Sequence, residues 1–222
     1  MKKVAISFLI QCYFGDTTDP YLAAIDKAYF DMQTHTISGD KKIIYAMRRE
    51  ETEYLYSQLR KLPSEVQSEK DFDKWHKDTS DKMKTISKKT IELEYGQIQK
   101  WINMSIKYLY TLRALGDEKV NQYFVENVYY FHAPLDSYVL NEIGNHDTWS
   151  TIPTYEIYKN IQGNITFEKE YKEWPEYARK AKLKKNNKEK LADKGSYKRY
   201  IQDNYSNKDK TYCGEIRWRT TE

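Results

Sequence analysis

The sequence predicts a mainly α-helical fold, a single helical cluster with room for a few short strands at the termini. Apolar residues recur at three- and four-residue spacing over several long stretches, most clearly from Thr90 to Leu115. Helix boundaries flank them, with Asp19-Pro20 opening one and Gly116-Asp117 closing another. No alternating strand–helix pattern, GxGxxG, GKS/T or internal repeat is present, which argues against nucleotide-binding α/β folds and solenoids.

Val4 to Phe14 is a β-branched and aromatic run that suits either a first strand or the start of a buried helix. Asp19-Pro20 then sets an N-cap acceptor before a proline whose missing N–H costs nothing at the first helical position. Leu22, Ile25, Tyr29 and Met32 continue as one apolar stripe ending near Ser38-Gly39. Lys41 to Tyr56 carries a weaker pattern, which Leu62-Pro63-Ser64 is expected to break. Ser64 to Lys89 reads as one exposed amphipathic helix, or a pair, anchored by Val66, Phe72, Trp75, Met83 and Ile86.

The next segment is the core helix. Ile98, Ile102, Ile106 and Leu109 repeat at helical spacing beside Trp101, Tyr108 and Leu112. Glu118 to Phe131 is a further helix, stopped by Ala133-Pro134. Asp136 to Gly144 is a short one, and Ile152-Pro153 opens another through Tyr158. Phe167 to Ala181 carries Tyr171, Trp174 and Tyr177. Residues 1–177 are therefore read as a helical globular domain and residues 178–222 as a basic C-terminal segment packed on it or extending from it.

Composition narrows the class. The hydrophobic fraction is only 39% and the mean hydropathy −0.92, but 21 tyrosines enlarge the available core, because a tyrosine ring packs while its hydroxyl stays wet. Cys12 and Cys213 lie near opposite ends with no metal-ligand spacing, which fits a reduced, cytoplasmic setting. Met1-Lys-Lys and the apolar run after it imitate a signal peptide, yet Gln11 interrupts the run and no small-residue cleavage site follows. No apolar stretch is long enough to span a bilayer, so no membrane partner is expected. No motif calls for a cofactor or a metal.

Charge is uneven. Arg179 to Arg199 holds ten Lys/Arg against Glu189 and Asp193; since the whole chain is +4, this excess of +8 leaves −4 elsewhere. Concentrated cations beside Tyr177, Tyr197 and Tyr200 suit a polyanion, with lysines releasing counterions and rings stacking on bases. Lys182, Lys184, Lys185, Lys188, Lys198 and Arg199 are the expected nucleic-acid contacts, unless the segment is simply a solvated lysine-rich surface. On the core helix, Gly96, Lys100, Asn103, Lys107 and Tyr110 fall along one side, so that two lysines flank an amide able to hold phosphate or carboxylate. A solvent-exposed face is the plainer reading, although Asn103 is unusual in a helix interior. In the stretch from Phe131 to Leu140, Asp136 or Ser137 caps a helix; Asp136, near His132, also suits a general base or electrostatic stabiliser.

Other constellations fall short. Gly15-Asp-Thr-Thr-Asp19 and Gly144-Asn-His-Asp147 imitate metallophosphoesterase blocks, but the Asp-x-His and Gly-His-x-His partners needed for two metals are missing. No Arg-x4-6-His pairing of the HEPN ribonuclease kind, no GxSxG elbow and no Cys-His neighbourhood occurs.

The blocks Ala28-Tyr-Phe-Asp31, Gln99-Lys-Trp-Ile-Asn-Met-Ser-Ile-Lys-Tyr-Leu109 and His132-Ala-Pro-Leu-Asp-Ser137 resemble small helical proteins of bacteria and phages. The last two blocks, within about forty residues from Gln99 to Leu140, are also similar to helical DNA glycosylases of the 8-oxoguanine type. There a lysine-bearing helix is followed by a Pro-x-x-Asp-Ser-like turn into another helix. The resemblance implies a base-excision fold with Lys107 or Lys100 near the site and Asp136 as the acid group. It implies a flipped base on an aromatic platform, for which Trp101, Tyr108, Tyr110 and Trp149 are available. The Leu-Pro-Gly-x-Gly hairpin that grips DNA in those enzymes does not precede Asp136 here. The sequence thus supports two expectations: a nucleic-acid-binding, glycosylase-like enzyme for modified or damaged bases, or a non-catalytic defence, immunity or inhibitor factor that binds a protein through the charged Ser64–Lys89 helix and the tyrosine-rich faces.

Overall fold

The core helix forms where periodicity places it and organises the rest. In the structure, a computed structural model describing residues 2–33 and 37–165, this helix spans Tyr95–Ala114. Seven further helices surround it among the described residues, in the order α1 (Lys2–Phe14), α2 (Pro20–Gln33), α3 (Lys41–Glu65), α4 (Glu69–Ser87), α5 (Tyr95–Ala114), α6 (Tyr123–Glu126), α7 (Ser137–Glu142) and α8 (Tyr155–Gly163). No strand occurs among these residues, all of which lie in the first of the chain's two units, Met1–Trp174. The Phe167–Ala181 helix, Cys213 and the 178–222 segment, with Lys182, Lys184, Lys185, Lys188, Lys198 and Arg199, lie outside the described residues.

At the start of α5 the Glu94 N–H donates to the Gln97 side chain at 2.9 Å, satisfying a donor that the first turn leaves open. At its end the chain turns through Gly116 at φ 99°, a left-handed conformation that glycine adopts without steric cost. Ile98, Trp101, Ile102, Ile106, Leu109 and Leu112 are buried, and the Trp101 indole N–H donates to the Ile25 carbonyl at 3.0 Å, fastening α5 to α2. The same helix meets α4, α6, α8 and a 3-10 turn at Trp149–Thr151.

Helix α2 begins as expected, with Asp19 accepting from the Tyr21 and Leu22 N–H groups. Ile25, Tyr29 and Met32 face the core, but Leu22 is exposed and Tyr21 takes its place on the buried face. Helix α3 runs through Pro63 to Glu65 instead of breaking there. A proline so near the C-terminus removes one backbone hydrogen bond, and the burial of Leu55, Leu59 and Leu62 outweighs that loss.

The Ser64–Lys89 region contributes one helix, α4, which is not simply an exposed one: Phe72, Trp75, Met83 and Ile86 are core residues, and only the opposite side is solvated. Val4 to Phe14 lies within α1, neither strand nor buried helix. Val4 is 74% and Phe8 65% exposed, and α1 is tied in through Phe14 and a Tyr13–Tyr108 hydroxyl contact of 3.1 Å. The helix expected from Glu118 to Phe131 is cut into α6 and a 3-10 turn at Val128–Tyr130. Asn121 caps Tyr123 N–H from before, and Asn127 ends the turn outside helical geometry. No helix among the described residues is long and apolar enough to cross a membrane.

One core group makes a pH-dependent prediction. Glu51 is fully buried, and neither carboxyl oxygen has a hydrogen-bond partner. Burial, reinforced by the neighbouring Glu50 charge, pushes its pKa up to about 9. Between its unfolded value and about 9 the unfolded chain ionises while the native one stays protonated, so stability is full at low pH and falls as pH rises through that window. Glu51→Gln is expected to gain on the order of 3 kcal/mol at pH 7 and nothing below pH 4, read from urea unfolding at both pH values.

Candidate functional site

Lys100 and Lys107 are two turns apart on α5, and both are partly buried. Burial holds both amines below the usual lysine range, while the Asp136 and Asp31 carboxylates, each within electrostatic reach of both, oppose that shift. The Lys100 ammonium lies 4.1 Å from the centroid of the Trp149 ring. Asp31 accepts from the Tyr108 hydroxyl and pairs with Lys27 at 2.6 Å. Burial, together with Tyr13 and the Asp31 charge, pushes the Tyr108 hydroxyl far up, so it stays protonated and donates. Two amines and two carboxylates from α2, α5 and the start of α7 thus share one neighbourhood.

Asp136 stands at the N-cap of α7. Its Oδ1 accepts from the Tyr138 and Val139 N–H groups at 2.9 and 3.0 Å, and Oδ2 takes no hydrogen bond from a described residue. One oxygen, Oδ1, makes both capping bonds.

Trp149 reaches Lys100 because residue 96 is glycine. A Cβ on Gly96 would lie 1.7 Å from the Trp149 carbonyl oxygen, and the Gly96 N–H donates to the Ile152 carbonyl at 3.2 Å. The 149–152 segment therefore rests directly on α5 backbone. Gly96→Ala is expected to lift that segment, costing roughly 2 kcal/mol in thermal unfolding and changing Trp149 fluorescence.

Segment 131–136, which delivers Asp136, is buried from Phe131 to Leu135 and lies between helices with no strand among the described residues beside it, so its backbone polar groups need other partners. Side-chain amides supply them. Gln99 accepts from the Leu135 N–H at 3.1 Å and donates to the Leu135 carbonyl at 3.0 Å. Gln162 of α8 does the same at Ala133, accepting from its N–H at 3.2 Å and donating to its carbonyl. The Asn103 amide nitrogen also donates to the Ala133 carbonyl, at 3.3 Å.

Behind this segment lies a buried network. Asn103 donates to Tyr158 Oη at 2.9 Å and to Gln99 at 3.2 Å, and its oxygen faces His76 Nε2 at 3.0 Å. With that oxygen as acceptor, His76 carries its proton on Nε2, and the Tyr155 hydroxyl faces Nδ1 at 3.1 Å. His132 lies between the Tyr158 hydroxyl, 2.8 Å from Nδ1, and Asp73, 2.7 Å from Nε2. Burial lowers both histidines, His76 far below its usual value, which favours their neutral forms, while Asp73 opposes the shift at His132. Burial alone would raise Asp73, but hydrogen bonds from His132 and Lys159 hold it down at about 2. A directional chain follows, from Asn103 through Tyr158 and His132 to Asp73 at the surface.

Asp136 thus lies within electrostatic reach of both Lys100 and Lys107, whereas Asn103 is separated from them. Asn103 is 1% exposed and faces inward, away from the accessible stripe expected of it, because the first turns of α5 are covered on several sides. Of the aromatic platform residues, Trp101 and Tyr108 are core, while Trp149 and Tyr110 are partly accessible. Gly15–Asp19 is a local turn ending in the α2 cap, and His146 and Asp147 are exposed. No cluster of three metal-ligating side chains occurs among the described residues.

The sequence reading missed Gln99, Gln162, Asp73 and His76. A signal existed for His76, which falls between Phe72 and Met83 on the buried side of α4, and for Gln99, four residues before Asn103 on α5. No family model, curated relative or solved structure matches the chain.

Proposed function

We propose that the chain binds nucleic acid and acts at the Lys100–Lys107–Asp136 face as a glycosylase-like enzyme on modified or damaged bases. The observation that carries this reading is the pair of partly buried lysines on α5, Lys100 and Lys107, within electrostatic reach of Asp136, whose Oδ2 takes no hydrogen bond from a described residue. Burial lowers the Lys107 amine from its ordinary range, which favours the unprotonated, nucleophilic form. In the proposed reaction the Lys107 nitrogen attacks C1′ of the nucleoside. The glycosidic bond breaks, and its electron pair leaves with the base. The nitrogen gives its first surplus proton to Asp136, which passes it to the departing base; the C1′–O4′ bond then breaks with its electron pair going to O4′, O4′ takes the second amine proton, and a neutral imine remains. Lys100 and Trp149 offer a cation and a ring at the edge of the same face. The ten Lys/Arg between Arg179 and Arg199 would neutralise phosphates.

The test is binding to single- and double-stranded DNA and RNA across a salt series, with free bases measured in the same samples. Salt-dependent binding with base release supports the reading, and absence of both at low salt refutes it. Neutralising Lys182, Lys184, Lys185 and Lys188 should flatten the salt slope by about 0.9 for each phosphate that is no longer neutralised.

The exposed Val4 and Phe8 of α1 favour a second reading, a protein partner without catalysis. Under it, Phe8→Ser weakens a purified partner complex and Asp136→Asn leaves that complex unchanged.

A further inference from the structure

We infer that Gln99 is the positioning residue for Asp136, setting the catalytic carboxylate against the lysines of α5 through a two-point grip on the Leu135 backbone; this rests on the proposed glycosylase-like chemistry. Gln99 is 1% exposed, and its amide makes four hydrogen bonds. Nε2 donates to Gly96 O at 2.8 Å and to Leu135 O at 3.0 Å, while Oε1 accepts from Leu135 N at 3.1 Å and Asn103 Nδ2 at 3.2 Å. A primary amide has two donor hydrogens and two acceptor lone pairs, so its capacity is filled and its orientation fixed.

Gln99 immediately precedes Lys100, and Leu135 immediately precedes Asp136. The grip therefore joins the two stretches of chain that carry the reacting groups at the residues adjoining them. Gln162 holds the segment two residues farther back, at Ala133, and belongs to α8, which carries neither lysine. Among the described residues, Gln99 is the one that links the lysine helix itself to the residue beside the carboxylate. Near an attacking amine, a displacement of about 1 Å is enough to slow a reaction severely, so removing this grip acts on rate before binding.

The experiment uses the full chain, a duplex oligonucleotide with one abasic site as the aldehyde probe, and borohydride to trap the imine. Trapping rates at saturating protein and dissociation constants are measured for wild type, Gln99→Met, Asp136→Asn and the double variant, with thermal unfolding of each. Gln99→Met keeps the side-chain volume and removes the grip; Gln99→Glu keeps the acceptor for Leu135 N and loses the donor to its carbonyl. Expected is a trapping rate roughly tenfold or more lower in Gln99→Met, intermediate in Gln99→Glu, at an unchanged dissociation constant. No further loss is expected when Gln99→Met is added to Asp136→Asn. An unchanged rate in Gln99→Met, a loss confined to binding, or a loss that multiplies with Asp136→Asn overturns the role of Gln99 while the lysine chemistry stands. Should Gln99→Met not fold, Gln99→Glu decides by the same criteria. A wild type that traps nothing overturns the proposed chemistry, and the role of Gln99 with it.

Discussion

Asn103→Leu is expected to cost roughly 3 kcal/mol of stability, far more than the similar volume of the two side chains suggests. Asn103 joins α4, α5, α8 and the 131–136 segment inside the protein: its oxygen faces His76, and its two amide hydrogens are shared among Tyr158, Gln99 and the Ala133 carbonyl. Some partners have a second bond to fall back on: the Ala133 carbonyl keeps Gln162, and Gln99 keeps Leu135. His76 keeps only a long contact, with Tyr158 Oη 3.5 Å from its Nε2. Its Nε2–H would otherwise face an alkyl chain inside the core, and a poorly satisfied buried donor costs much of its desolvation penalty. The cost is therefore shared with the histidine. A double-mutant cycle with His76→Phe should recover about 1 kcal/mol or more, since removing both polar ends abolishes the mismatch. Strict additivity in urea unfolding would show that the two residues do not act as a pair.

The second large effect is catalytic. Asp136→Asn is expected to reduce base release by at least about 100-fold, as the loss of a general base commonly does, with a stability change below about 1 kcal/mol. The separation is possible because asparagine caps helices nearly as well as aspartate. The Tyr138 and Val139 N–H groups keep their acceptor while the negative oxygen is lost. A large loss of stability would mean that the carboxylate charge holds the site together. Unchanged base release would leave Asp136 as a cap alone.

The extent to which the sequence was legible follows from how local each feature is. The core helix, the α2 start at Asp19-Pro20 and the Asp136 cap are written within a few neighbouring residues, and each forms where those residues indicate. Pairings between distant segments are not written that way. Asn103 meets His76 across 27 residues, His132 meets Asp73 across 59, and His76 meets Tyr155 across 79. Spacing alone placed Asn103 beside Lys100 and Lys107, whereas helix geometry combined with packing turns it inward and leaves the lysines at the boundary. Helix α1 shows the same limit. Its composition suits burial, yet no element among the described residues covers its outer face, and Phe8 stays exposed.

Peptide mapping of the borohydride-trapped adduct tests the central claim most directly. Wild-type protein is incubated with abasic-site duplex DNA, trapped, digested and read by mass spectrometry. The predicted adduct lies on Lys107 and disappears in Lys107→Ala while DNA binding persists. An adduct spread over surface lysines, or its persistence in Lys107→Ala, would contradict the assignment of Lys107 as the nucleophile.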